Sequence, residues 1–86
     1  MARTLHIVKS AGAVHPWDLL ARQAVAPDSC AVVLIQNAVT ATATVPCQTF
    51  ALARDVRARG AEAPHPLIDD EGLLQMIWEA DSVVVW

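Results

Sequence analysis

The sequence predicts a three-layer α/β/α domain built on a small, mostly parallel sheet of four to five strands. Three observations carry this. Short apolar runs of strand length alternate with segments of helical period, which is the pattern of α/β layer proteins. One of them, Cys30-Ala31-Val32-Val33-Leu34-Ile35, has no polar alternation, as expected of a central strand covered on both faces. Proline, glycine and aspartate fall where helices should begin or end. At 86 residues there is room for one domain, residues 1–86, which buries roughly 60–65% of the surface its unfolded chain exposes.

Thr4-Leu5-His6-Ile7-Val8-Lys9 is the first strand, and residues 10–15 form a loop leading to Pro16. Proline suits a first helical turn because its missing N–H would have no partner there, so residues 16–25 read as a helix. Its Trp17, Leu20, Ala21 and Ala24 share one face at i, i+3, i+4 and i+7 spacing. Residues 26–29 turn into the second strand, the apolar run from Cys30 to Ile35. In residues 36–45 alanine favours a helix and threonine resists it, giving a short helix that Pro46 ends. Gln48-Thr49-Phe50-Ala51-Leu52 is the third strand. Residues 54–59 form a brief helix stopped at Gly60, since an αL glycine commonly closes a helix. His65-Pro66-Leu67-Ile68 is a short fourth strand. Asp69 or Asp70 caps a last helix that runs to about Glu79 and turns Leu73, Leu74, Ile77 and Trp78 inward. The closing run Ser82-Val83-Val84-Val85-Trp86 is a fifth strand, apolar enough to require burial in a sheet or against a partner.

Composition narrows the function classes. The chain is 55% hydrophobic and 17% charged, so part of its apolar surface is expected to face another subunit. Its net charge is −3, and Arg54, Arg57 and Arg59 form its one basic cluster, with Asp55 inside it. That is a solvated helix face rather than a basic stripe with interleaved aromatics, and direct nucleic-acid binding is not expected. No run reaches the roughly 18 residues of a membrane span, and Lys9, Ser10 and Gly12 interrupt any signal-peptide core. A cytoplasmic location without membrane contact is expected. Cys30 and Cys47 have no CxxC spacing, and cytoplasmic thiols are kept reduced, so no disulfide is expected.

In open α/β sheets ligands gather beyond the carboxyl ends of the strands. There the sequence places Lys9, Asn37 and Arg54 as a candidate ligand rim. Both cysteines open their strands and fall at the opposite rim, away from any helix N-terminus that would make a thiolate. Cys47 is the candidate nucleophile, set against its reading as a small buried hydrophobe. His6, His15 and His65 lack metal-ligand spacing, and neither a metal nor a cofactor is expected. His6 alternates with Leu5 and Ile7 and is expected on the less buried face. Adjacent Asp69 and Asp70 point in different directions, as helix caps do, rather than forming an acid pair. Trp17, Trp78 and Trp86 stand out in a chain with one Phe and no Tyr, because tryptophan is over-represented at interface hot spots. Trp86, Val84, Val39 and Trp17 are the candidate interface residues.

Four stretches, in order along nearly the whole chain, resemble the DsrH/TusB family of sulfur-relay proteins. Thr4-Leu5-His6-Ile7-Val8-Lys9-Ser10 is similar to its L-H-x-V-x-K-S opening. Val32-Val33-Leu34-Ile35-Gln36-Asn37-Ala38-Val39 resembles its L-L-L-x-[QE]-D-G-[VI] strand and loop. Phe50-Ala51-Leu52-Ala53-Arg54-Asp55-Val56-Arg57-Ala58-Arg59-Gly60 resembles its Y-A-L-x-x-D-[LV]-x-A-R-G stretch, and Trp86 stands where the family closes in tryptophan.

The resemblance implies a small α/β subunit that joins DsrE/TusD-like and DsrF/TusC-like partners in a cytoplasmic heterohexamer. Such a complex passes persulfide sulfur between cysteines, towards 2-thiolation of the tRNA wobble uridine or, in sulfur-oxidising bacteria, in the handling of oxidised sulfur. Members of the second kind carry a cysteine in the first helix. The corresponding Leu19-Leu20-Ala21-Arg22-Gln23 has none, and Gln36-Asn37-Ala38 replaces the family's acid and glycine. The missing cysteine favours an assembly role over a sulfur-carrying one, and the loop departure removes a charge and a flexible turn. An autonomous persulfide carrier using Cys47, and a homo-oligomeric module binding a small ligand at the carboxyl rim, are the alternatives.

Overall fold

Aliphatic side chains dominate the strands that form the middle of the sheet. The computed structural model describes residues 3–9, 30–41, 47–60 and 62–86, and within them five strands pair in one all-parallel sheet. They are β1 (Thr4–Val8), β2 (Cys30–Leu34), β3 (Gln48–Leu52), β4 (Leu67–Ile68) and β5 (Ser82–Val85), in the spatial order β4-β3-β2-β1-β5. Expected and observed bounds agree to a residue for most strands, and β3 matches at both ends. Residue 36 opens a short 3-10 helix, Gln36–Thr40, where threonine limits helical propensity to little more than one turn. The predicted first helix with Trp17, and the remainder of the crossover in residues 42–46, lie outside the described residues.

Two helices flank the sheet within the described residues. Helix α1 (Ala53–Arg59) ends at Gly60, whose φ of 57° is the left-handed conformation that glycine adopts without a Cβ clash. Helix α2 (Asp70–Glu79) starts from Asp69, whose Oδ1 accepts the Gly72 N–H at 2.7 Å and satisfies one of the free donors of the first turn.

Period-two alternation sorts the strand side chains into two cores. Val8, Val32, Leu34 and Ala51 pack on the first face beneath Ala38 and Val39 of the 3-10 helix and Val56 of α1. Leu5, Ile7, Ala31 and Val33 pack on the second face against Leu73, Met76 and Ala80 of α2 and its end. The result is the three-layer α/β/α arrangement, with β2 buried along nearly its whole length as the unbroken apolar run requires.

Three expectations need correction. Helix α2 turns Leu73 and Met76 inward rather than Leu73, Leu74, Ile77 and Trp78; Leu74 and Trp78 are 67% and 88% exposed. The apolar arc of α2 is wider than one contact face, so its periodicity fits two orientations, and in the one adopted Leu73 and Met76 meet Leu5, Ile7, Ala31 and Val33. His6 is 4% exposed rather than facing outward, because β1 lies between β2 and β5 and both its faces are covered. Val39, a candidate interface residue, is fully buried in the first core.

The two leucine environments predict opposite mutational outcomes. Leu34→Ala should destabilise by about 3–5 kcal/mol through lost burial and a residual cavity. Leu74→Ala should change stability by less than about 0.5 kcal/mol. Urea denaturation of both variants checks the orientation of α2, and equal losses would contradict it.

Candidate functional site at the two rims of the sheet

At the carboxyl rim the chain leaves β2 through Gln36, which has a φ of 51°, left-handed for a residue with a side chain. That conformation is held by α1. The Gln36 N–H donates to Asp55 Oδ2 at 2.8 Å, and Arg59 Nε donates to Asn37 Oδ1 at 3.1 Å. Arg59 and Asp55 are themselves paired at 3.7 Å one helical turn apart. Asp55 is thus both a ring-closing acceptor for the turn and a partner for Arg59.

The predicted rim residues do not converge. Lys9 is exposed just beyond β1, beside the turn, because the Ile35 N–H bonds to Val8 O at 3.0 Å. Asn37 is occupied by Arg59. Arg54 points the other way and pairs with Asp70 of α2 at 3.4 Å. Asp69 and Asp70 accordingly serve as cap and ion-pair partner, in keeping with the capping reading. The basic cluster is divided in the same way, with Arg54 and Arg59 each bound to a carboxylate.

The amino rim holds the cysteines, and here the expectation of two separate thiols is overturned: Cys30 and Cys47 form a disulfide. The parallel register that sets Ala31 opposite Gln48 also sets residue 30 opposite residue 47, and their Cα atoms are 5.3 Å apart. That lies inside the range a disulfide bridges. Spacing along the chain carries no trace of this register, which is why the pair was not legible beforehand. Cys47 is 7% exposed and belongs to the first core.

Trp86 packs on its own chain. Its backbone N–H extends the β1–β5 ladder to Ile7 O at 2.8 Å, and its indole N–H donates to His6 Nδ1 at 3.2 Å. The two rings stack with centroids 6.2 Å apart. The acceptor role of Nδ1 puts the imidazole proton on Nε2 and makes His6 neutral. Val84, opposite His6 in the register, and Trp86 are half-buried, and among the described residues Trp78 is the exposed tryptophan. Trp17 lies outside the described residues.

Between α2 and the second face lies a cavity of about 560 Å³, lined by Leu5, Ala31, Phe50 and Met76 with Arg3, Gln48 and Glu79 towards its polar side. It sits at the amino half of the strands, opposite the predicted ligand rim. Sequence patterning offered no signal for it, because it arises from how α2 crosses the sheet. Among the described residues no three His, Cys, Asp or Glu side chains gather as a metal site, and no helix is long and apolar enough to cross a membrane.

No protein-family model matches the chain, and neither a curated protein nor a solved structure matches it.

Burial lowers the His6 pKa below its ordinary 6.5. A depressed folded-state value means that the folded protein binds fewer protons than the unfolded one in mild acid. The stabilisation is therefore complete above pH 6.5 and is lost as the pH falls through the folded-state value. The melting temperature should drop between pH 7 and 5, and His6→Leu should flatten that part of the profile. Identical profiles for the two proteins would remove His6 from the account.

Proposed function

We propose that the chain is a non-catalytic assembly subunit of a cytoplasmic sulfur-relay complex. In it, persulfide sulfur passes between cysteines of DsrE/TusD-like and DsrF/TusC-like partners towards 2-thiolation of the tRNA wobble uridine. The observation that carries this reading is the position of the chain's only two cysteines, bonded to each other at the amino rim. Sulfur transfer requires an attacking thiolate. In the reducing cytoplasm the bond opens, but the thiols still lie at the amino rim, with Cys47 in the first core and away from the carboxyl rim. That geometry gives no support to a persulfide carrier using Cys47. The five-stranded parallel sheet between helical layers is compatible with the small α/β subunit that the family resemblance implies, and the exposed apolar side chains of α2 and β5 offer surface for partners.

A second reading is favoured by the cavity under α2, whose volume falls within the range of small-molecule sites. On that reading the chain is a homo-oligomeric ligand-binding module, with the ligand beneath α2 rather than at the carboxyl rim.

One preparation separates the two. The chain is isolated from its own cells at endogenous level, its native mass is measured, and every co-purifying subunit is identified. The assembly reading expects two small α/β chains, one with a cysteine that alkylating reagents label, and sulfur transfer unchanged within about twofold by Cys47→Ser. A defined homo-oligomer without other chains overturns it.

A further inference from the structure

Two rows of side chains cross the second face of the sheet under α2. In the row nearer the amino ends Leu5, Ala31 and Gln48 stand opposite one another on β1, β2 and β3, and in the next row stand Ile7, Val33 and Phe50. Ala31, the smallest side chain of the two rows, lies in the floor of the cavity of about 560 Å³, a volume ordinary for a small organic ligand. Phe50, the one phenylalanine of the chain, lines the cavity half-buried, and Met76 lines it from α2. An aromatic ring and a thioether both make favourable contacts with a second aromatic ring.

Three polar residues line the same cavity: Arg3, Gln48 and Glu79. Arg3 is held by its backbone. Its N–H donates to Asp81 Oδ2 at 2.6 Å, and its carbonyl accepts the N–H groups of Asp81 and Ser82 at 2.8 and 3.3 Å. Its guanidinium faces Glu79 Oε2 at 4.0 Å, beyond hydrogen-bond distance, so two opposite charges stand across a gap rather than closing on each other. Gln75 orients Glu79 from one turn earlier in α2, its Nε2 donating to Oε1 at 3.0 Å. A ligand with only an anionic group would set that charge near Glu79, and one with only a cationic group would set it near Arg3. A ligand carrying both signs answers both, and the Gln48 amide adds a donor for its anionic end.

We propose that the cavity under α2 binds a free aromatic α-amino acid, with its carboxylate on Arg3, its ammonium on Glu79 and its ring against Phe50 and Met76. The inference rests on the second reading, which puts a ligand beneath α2, and names the ligand class of that site. The Arg3 and Glu79 side chains are half-exposed, so each charge adds modestly to affinity and the ring supplies the larger part.

The test follows the amide resonances of the isotope-labelled full chain during titration with L-phenylalanine. Three further probes each lack one feature: phenylacetate has no ammonium, phenethylamine no carboxylate and L-alanine no ring. The expected result is saturable shifts at Ala31, Gln48 and Met76 with L-phenylalanine. Phenylacetate and phenethylamine should bind about fivefold more weakly. L-Alanine should bind more than about tenfold more weakly. Glu79→Gln should weaken L-phenylalanine about fivefold without weakening phenylacetate. Ala31→Leu, which fills the floor, should abolish the shifts, its melting temperature confirming that it folds; should it not fold, Glu79→Gln carries the test. Equal binding of phenylacetate or phenethylamine overturns the amino-acid assignment and leaves the ligand reading standing. Shifts that spare the three cavity amides, or an affinity that Glu79→Gln leaves unchanged, overturn the proposal as well. If no probe binds, the proposal falls, and a heteromeric native mass removes the ligand-module reading separately.

Discussion

Parallel strand pairing is the constraint from which the rest of this molecule follows. Parallel neighbours cannot be joined by a tight turn, so every connection has to cross a face of the sheet. The chain steps in one direction from β1 through β4 and then returns in a single stride to β5 at the far edge. That return is made by α2. Among the described residues it is the one helix on the second face. A helix with its side chains is about 10–12 Å wide, whereas five strands at their usual separation span roughly 19 Å. Among the described residues one helix therefore leaves the face partly uncovered on both sides. The cavity towards β3 and the exposed apolar surface towards β5 are the two consequences of that shortfall.

The first face is closed differently. Among the described residues two short elements, the 3-10 helix and α1, cover it from above, and the Asp55 and Arg59 contacts tie them together at the carboxyl rim. That rim is where an open α/β sheet usually holds its ligand. Here its polar groups are engaged with one another, Arg54 is directed to Asp70, and the cysteines occupy the opposite rim. Chemistry and surface are thus separated in space, with the Cys30–Cys47 disulfide at the amino rim and the exposed apolar side chains on α2 and β5. A subunit that contributes contacts rather than a nucleophile is the reading most consistent with this separation.

What was legible in the sequence follows the range of the interaction responsible. Local signals read correctly: the unbroken apolar run of β2, the glycine that closes α1 and the aspartate that caps α2 each act within a few residues of themselves. Properties set by register or by the width of a packing face were not legible. His6 looks half-exposed when its strand is read alone, and only the position of β1 between two neighbours, with Trp86 above it, makes it buried. The Cys30–Cys47 pair depends on the registry of β2 and β3. The orientation of α2 hinges on which of two apolar arcs meets the second core, and the helix itself carries both. Its unused arc, with Leu74 and Trp78, is the part of the candidate interface that the spacing hid by assigning it to the core.

Hydrogen exchange of this chain, alone and within the complex isolated from its cells, tests the central claim most directly. The account predicts that amides of β5 and the second half of α2 slow by at least tenfold in the complex, while those of β2, already enclosed, do not change. Protection confined to α1 and the Gln36–Thr40 turn would contradict it, because the uncovered flank of the second face would then not be where the molecule is completed.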